Sequence, residues 1–406
     1  MKKLNIGPAV LVTAAFIGPG TVITASLAGA HFGYTLIWAL LFSVFATIIL
    51  QEMAARLGVV TQLGLGENLR AAIHNPLLKW LILGLVFCAI VIGNSAYQSG
   101  NISGASLGLA SLFSGSENPA VSAFNFWPLV IGSIAFVLMW TGSYRFIESA
   151  LITLVVLMSG AFLITFLITR PDITSLLSGL FIPTIPTGAT LTVIALIGTT
   201  VVPYNLFLHA ASAKQKWQSA EHLGDARRDL YISIPLGGLI SIAIVATAAS
   251  AFFGQQVQLQ SAADLAPALQ PLFGDWAKNL MAIGLFAAGI SSAITAPLAA
   301  AFALSGIFNF EANLKANSFK AIWMSILAIG VIVSSLGYRP VSIIWFAQVT
   351  NGLLLPIVCG FLLWMMNQPI LGAHVNSRVQ NLLGGLILLV TLLLSGRSLM
   401  SAFRML

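Results

Sequence analysis

Apolar residues in this chain come in long runs separated by short polar stretches, and the rhythm repeats from end to end. A helix that crosses a bilayer needs about 20 apolar residues. About eleven segments supply them, at 8–32, 36–57, 78–112, 126–141, 146–169, 187–213, 230–254, 276–305, 319–337, 340–366 and 381–401. The pattern predicts an all-α polytopic membrane protein, a single transmembrane domain over 1–406 with about eleven transmembrane helices. Two runs are interrupted. The first reads "FIGPGTVITASLAGAHFGY" at 16–34, and the sixth reads "LIGTTVVPYNLFLHAASAKQKW" at 196–217. Proline removes a backbone donor and glycine weakens a helix. Inside a bilayer such breaks are tolerated where the backbone is buried in protein or lines a cavity.

Pro19 and Pro203 mark the two breaks, 184 residues apart (203 − 19), with five spans between corresponding positions. A repeat of an odd number of spans must be inverted across the membrane. Proline kinks are common in membrane helices, and one alone would mean little. Two at matching positions, each flanked by small or polar residues, point to a transporter site. The expected plan is a 5+5 inverted repeat with broken helices 1 and 6. Repeat one covers about 1–170, repeat two about 185–367, and an extra helix about 381–401.

Composition narrows the class. The chain is 58% hydrophobic and 7% charged, with mean hydropathy +0.97; soluble domains carry about 25% charged residues. The net charge of +7 does not imply nucleic acid, because Lys and Arg are scattered over short loops. Cytoplasmic loops carry the excess of these residues. With the N-terminus inside, Arg170, Lys278, Arg339, Arg397 and Arg404 fall outside and the other 13 of 18 fall inside. This orientation puts the C-terminus outside and suits a bacterial inner (plasma) membrane. The start, "MKKLNIGPAVLVTAAF", has the look of a signal peptide, and "SLAGA" of a cleavage site. The many later spans and the Gly-Pro break argue for a first span instead. Cys88 and Cys359 sit in apolar runs and read as small buried hydrophobes, with no disulfide framework.

All eleven carboxylates fall in loops or near span ends. Glu52 and Arg56 are spaced for an i,i+4 pair, and Glu148 follows Arg145 by three; both pairs read as orienting structure. None sits at mid-membrane, where ionisable residues usually mark proton or cation pathways.

Several stretches resemble the Nramp divalent-metal transporters, a family with a LeuT-like fold. They are "GAHFGYTLIWALLFSVFATIILQEMAARLGVVTQLGLGENLR" (29–70), "LIGTTVVPYNLFLH" (196–209), "LMAIGLFAAGISSAITAPLAAAF" (280–302) and "FAQVTNGLLLPIV" (346–358). The departures fall on the family's functional positions. Its first break reads Asp-Pro-Gly-Asn, and the Asp and Asn hold the metal; here stand Gly18, Pro19, Gly20 and Thr21. Its sixth span has Met-Pro-His; here Val202, Pro203 and Tyr204. Its third span carries an Asp and a Glu on the proton route; aligning on "GASLGL" puts Gln98 and Asn101 there. Gln348, in the tenth span, keeps a family ligand type.

These changes remove the carboxylate that offsets a dication's dehydration, the soft sulfur and the proton relay. What remains favours the opposite sign. Half-helix N-termini offer free N–H groups and partial positive charge, and such ends hold anions and carboxylates. The candidate binding residues are Gly18, Gly20, Thr21, Thr24, Thr199, Val202, Tyr204, Asn205, Gln348 and Asn351, with Gln98, Asn101 and His209 as coupling-route candidates. The expected substrate is a small inorganic anion, bicarbonate first; an uncharged solute also fits. The alternative is proton-coupled uptake of a divalent cation (Mn2+ or Mg2+) through a compensated site. Either would work by alternating access, the first and sixth spans rocking against the third, fourth, eighth and ninth. No cofactor is implied, and the coupling ion, Na+ or H+, stays open. A receptor on the same fold ranks below both, and no catalytic set points to an enzyme.

Plainer roles stand beside these. Tyr204 can pack among aromatics, Gln98 and Asn101 can glue helices, and His209 can serve a polar contact. Thr199 and Thr200 can bond back to their own helix. His31 and His74 read as interfacial.

Overall fold

The computed structural model describes residues 17–113, 124–141, 145–255 and 258–402, without the side chains of 145–148 and 401–402. The first half of the first span, most of the signal-like stretch and the Arg145–Glu148 pair lie outside that description. Within the described residues every predicted run is helical. Past Gly18, α1 (Pro19–Phe32) is the second half of the first span. Then come α2 (Ile37–Thr61), a short α3 (Leu65–Ala72) and α4 (Pro76–Phe113), a continuous helix of 38 residues. α5 (Trp127–Thr141), α6 (Arg145–Thr169) and a short α7 (Ile173–Phe181) follow. The sixth span is split into α8 (Thr190–Thr200) and α9 (Pro203–Lys216). The chain ends with α10 (Leu223–Phe252), α11 (Ala277–Phe308), α12 (Asn317–Ser335), α13 (Pro340–Met365) and α14 (Arg378–Ala402). Among the described residues nine helical stretches are long and apolar enough to cross a membrane, and α5 is a shorter apolar helix. α3 and α7 were not foreseen; eight or nine residues are too few to stand out from a loop by hydropathy.

Helix neighbours follow a two-fold exchange. α1 packs on α10 as α9 packs on α2, and α4 packs on α13 as α11 packs on α6. The α4–α11 pair, third and eighth spans, maps onto itself and is the most extensive contact. Small residues permit the close crossings, as expected where lipid supplies no hydrophobic drive. A methyl group added to Gly29 of α1 would strike the Val245 carbonyl of α10, and one on Gly58 of α2 the Ala210 carbonyl of α9.

Charge is kept to the ends of the bundle. Glu52 meets Arg56 at 3.1 Å and Arg227 of α10 at 2.8 Å. Arg56 also donates to the His374 carbonyl and to Asn376 Oδ1, each at 2.7 Å. The expected i,i+4 pair is thus the hub that ties α2 to α10 and to the α13–α14 linker. Glu67 of α3 holds Lys214 of α9 at 2.9 Å.

Candidate functional site

The two breaks form from local chemistry. At the first, Gly18 is extended (φ −110°, ψ −174°) and Pro19 starts α1 with its fixed φ and missing N–H. The Gly18 carbonyl accepts from Thr21 N at 3.1 Å and Val22 N at 3.2 Å. At the second, α8 stops at Thr200, Val202 is extended, and Pro203 starts α9. The described ends at the breaks are therefore two helix N-termini, of α1 and α9, and one C-terminus, of α8. The breaks meet directly: Thr21 Oγ1 lies 2.9 Å from Thr199 Oγ1. Thr199 spans the breaks, whereas Thr200 bonds back to the Leu196 carbonyl at 3.2 Å.

α4 and α13 close the site. Gly104 of α4 faces Pro19 with no room for a methyl group. Tyr97, two turns earlier, meets Tyr204 edge to face, ring centres 5.3 Å apart. Asn101 lies between them on that helix face, by the i+4 and i+3 spacings. On α13, the Gln348 amide sits against Gly20 and 3.9 Å from the Cβ position of Gly100, while its backbone presses on Gly198 of α8. One turn along, Asn351 Oδ1 is 3.3 Å from the Cβ position of Gly93. Tyr204 therefore does pack as an aromatic, but against a partner, Tyr97, whose role sequence reasoning missed.

The region is polar, buried and under-satisfied. Asn205 and Asn351 are fully buried, and among the described residues neither atom of either amide has a hydrogen-bond partner. Thr24 Oγ1, Asn101 Nδ2 and Gln348 Oε1 are also buried without partners. An unmet buried polar group costs about 1–3 kcal/mol, so such a cluster calls for water or a solute. Among the described residues that meet at the breaks, none is acidic or carries sulfur. Among the described residues no group of three or more His, Cys, Asp or Glu could hold a metal ion.

The coupling candidates are dispersed. Gln98 turns away from the breaks, donating to the Ala293 carbonyl of α11 at 3.0 Å and packing on Gly330 of α12. That is the interhelical contact anticipated as its plainer role. His209 is buried on α9, its Nδ1 2.7 Å from Gln51 Oε1 of α2, with Nε2 unpartnered. Gln51 was not foreseen; a partner 158 residues away leaves no local trace. His31 and His74 are exposed near helix ends.

Comparison with known proteins then identifies the architecture. The model of the Nramp family, "Natural resistance-associated macrophage protein-like", matches residues 9–401. The chain belongs to the Nramp family. Its Nramp relatives include a protein of Yersinia pestis (strain Pestoides F) named divalent metal cation transporter MntH. It is 25% identical over 408 residues, covering 99% of this chain and 96% of the relative. The protein of that name from Erwinia tasmaniensis is 25% identical, covering 98% of this chain and 94% of its own. Among solved structures, the Eremococcus coleocola manganese transporter in complex with an aromatic bis-isothiourea substituted compound superposes with a TM-score of 0.76. It is 22% identical, with 97% of this chain and 86% of that one covered. MhsT in complex with L-phenylalanine gives 0.64 at 16% identity, covering 97% and 99%. The fold is LeuT-like, and the protein is an integral membrane protein of a transporter family. Of the two substrate expectations, the relatives' names favour the divalent cation, and none of those named here speaks for an anion.

One prediction follows from the close contact in this Nramp site. Gly20→Ala places a methyl group where the Gln348 amide lies. The obstacle is a flexible side chain, so the fold should survive while Gln348 swings out. Uptake is expected to fall about tenfold, one step of 1.4 kcal/mol, with an unchanged melting temperature. Unaltered uptake in proteoliposomes would separate Gln348 from substrate handling.

Proposed function

We propose that this Nramp-family chain is a secondary transporter that moves a small inorganic anion, bicarbonate first among candidates, through the uncharged site between its two breaks. The observation that carries this reading is the pair of buried, unpartnered amides of Asn205 and Asn351, with the unpartnered Nδ2 of Asn101, near two helix N-termini and with no carboxylate among the described residues of the site. Their NH2 groups donate, as an oxyanion requires, and their carbonyls can accept the single O–H of bicarbonate. The two N-termini add partial positive charge. The mechanism is alternating access, with α1, α8 and α9 rocking against α4, α5, α11 and α12 and the N-terminus on the cytoplasmic side. Thr21 and Thr199, bonded to each other, keep the two breaks in register.

A second reading has its own support. The relatives named as divalent metal cation transporters cover almost the whole chain. Gln348 Oε1, the threonine hydroxyls and carbonyls at the breaks could hold a hydrated Mn2+ or Mg2+ through neutral oxygens. We place this reading second on electrostatic grounds: stripping water from a dication is costly, and no fixed negative charge at the breaks offsets it.

Asn205 tests the site without touching the backbone. Asn205→Leu keeps the volume and removes both amide functions. Labelled bicarbonate uptake is expected to fall about tenfold or more, the scale of an orphaned polar contact. Wild-type uptake with no response to this change would remove the amide cluster from the transport path. Absence of uptake in the native protein would overturn the anion reading itself.

A further inference from the structure

Behind the candidate site, on its lipid side, a crevice of about 640 Å3 opens between α4, α12 and α13. Its walls are Val333 of α12 and Ile343 and Phe346 of α13; its floor is Ala96 and Ser99 of α4 with Ala347 of α13. The floor adjoins the site, since Ser99 and Ala347 precede Gly100 and Gln348. At the mouth stand Tyr338 and Ser342, and between them in sequence comes Arg339, the N-cap of α13. Arg339 is exposed and makes no ion pair among the described residues. Tyr338 and Phe346 are 64% and 63% exposed, so both project into the surroundings.

The dimensions name the occupant. From Arg339 to Ala347 the helix rises about 12 Å at 1.5 Å per residue, close to the roughly 15 Å of one leaflet's hydrocarbon. The crevice thus runs from the bundle end to about mid-bilayer, apolar along its length, with two hydroxyls at its mouth and the exposed Arg339 between them in sequence. We propose that it is a binding site for one phosphoglyceride. An acyl chain fills the groove between α12 and α13, and the phosphate rests on Arg339 with Tyr338 and Ser342 as hydroxyl donors. Guanidinium and phosphate pair well in geometry and charge. The bound chain backs the stretch of α13 that carries Gln348, so membrane lipid props one wall of the candidate site. This holds whichever solute is carried.

The test is native mass spectrometry of the full chain in detergent, titrated with phosphatidylglycerol and, separately, with a diacylglycerol of the same chains. The expected result is one phosphatidylglycerol retained more tightly than the diacylglycerol. Arg339→Gln should weaken it about tenfold and leave the diacylglycerol unchanged. Val333→Trp fills the groove and should abolish retention of both lipids; Ala96→Leu, from the floor, serves if the tryptophan variant does not fold. Retention unchanged in the filled variant would overturn the site, and retention unchanged in Arg339→Gln would overturn the headgroup assignment.

Discussion

Gly18→Asp is expected to tighten Mn2+ binding well beyond that of the native protein. Gly18 is the N-cap of α1 in extended backbone, which any residue adopts, and Asp is favoured at N-caps. The new carboxylate would stand where the breaks converge, close to Thr21 and the Gln348 amide that rests on Gly20. At 4 Å, with an effective dielectric near 20, one carboxylate attracts a dication by about 8 kcal/mol before desolvation. If a third survives desolvation, affinity rises roughly a hundredfold. Titration calorimetry of the purified variant with Mn2+ reads this directly. The same charge should depress bicarbonate uptake. A variant that binds Mn2+ no better than native protein would mean that the first-break position does not decide the ion.

The second large effect lies at the end of the bundle. Glu52→Gln is expected to destabilise the protein by about 3–5 kcal/mol, the usual cost of leaving a buried charge without its partner. Arg56 is 2% exposed and would be left with neutral oxygens alone, among them those of His374 and Asn376. The other arm supplies the control. Arg227 is 40% exposed, so Arg227→Gln should cost under about 1 kcal/mol. Thermal melts of the detergent-solubilised variants should therefore drop by several degrees for Glu52→Gln and barely move for Arg227→Gln. Equal drops would mean that the hub acts through α10 and not through the buried guanidinium.

The fold was legible because its signals are local. Apolar runs place the spans, and Pro19 and Pro203 announce the breaks through a missing N–H. The inverted repeat is an arithmetic consequence of their spacing. α13 was flagged through Gln348, which the structure sets against the first break. What the sequence hides is pairing at a distance. Nothing near Thr21 names Thr199, 178 residues on, and nothing near Tyr204 names Tyr97. The i+4 and i+3 spacing of Tyr97, Asn101 and Gly104 could have shown that they share a face; Gln98 is three residues before Asn101, so spacing does not set it apart, and only the fold turns it to the Ala293 carbonyl. The hub at Glu52 was half legible: Arg56 is one turn away, whereas Arg227 and Asn376 arrive only with the fold.

A site built from neutral amides, hydroxyls and helix N-termini is proposed to select against dications. Dual-label uptake tests it most directly, offering radiolabelled bicarbonate and radiolabelled manganese together to proteoliposomes holding the native protein. The expected result is saturable bicarbonate uptake without manganese. Manganese uptake without bicarbonate would contradict it and show that neutral oxygens suffice for the metal that the relatives' names imply.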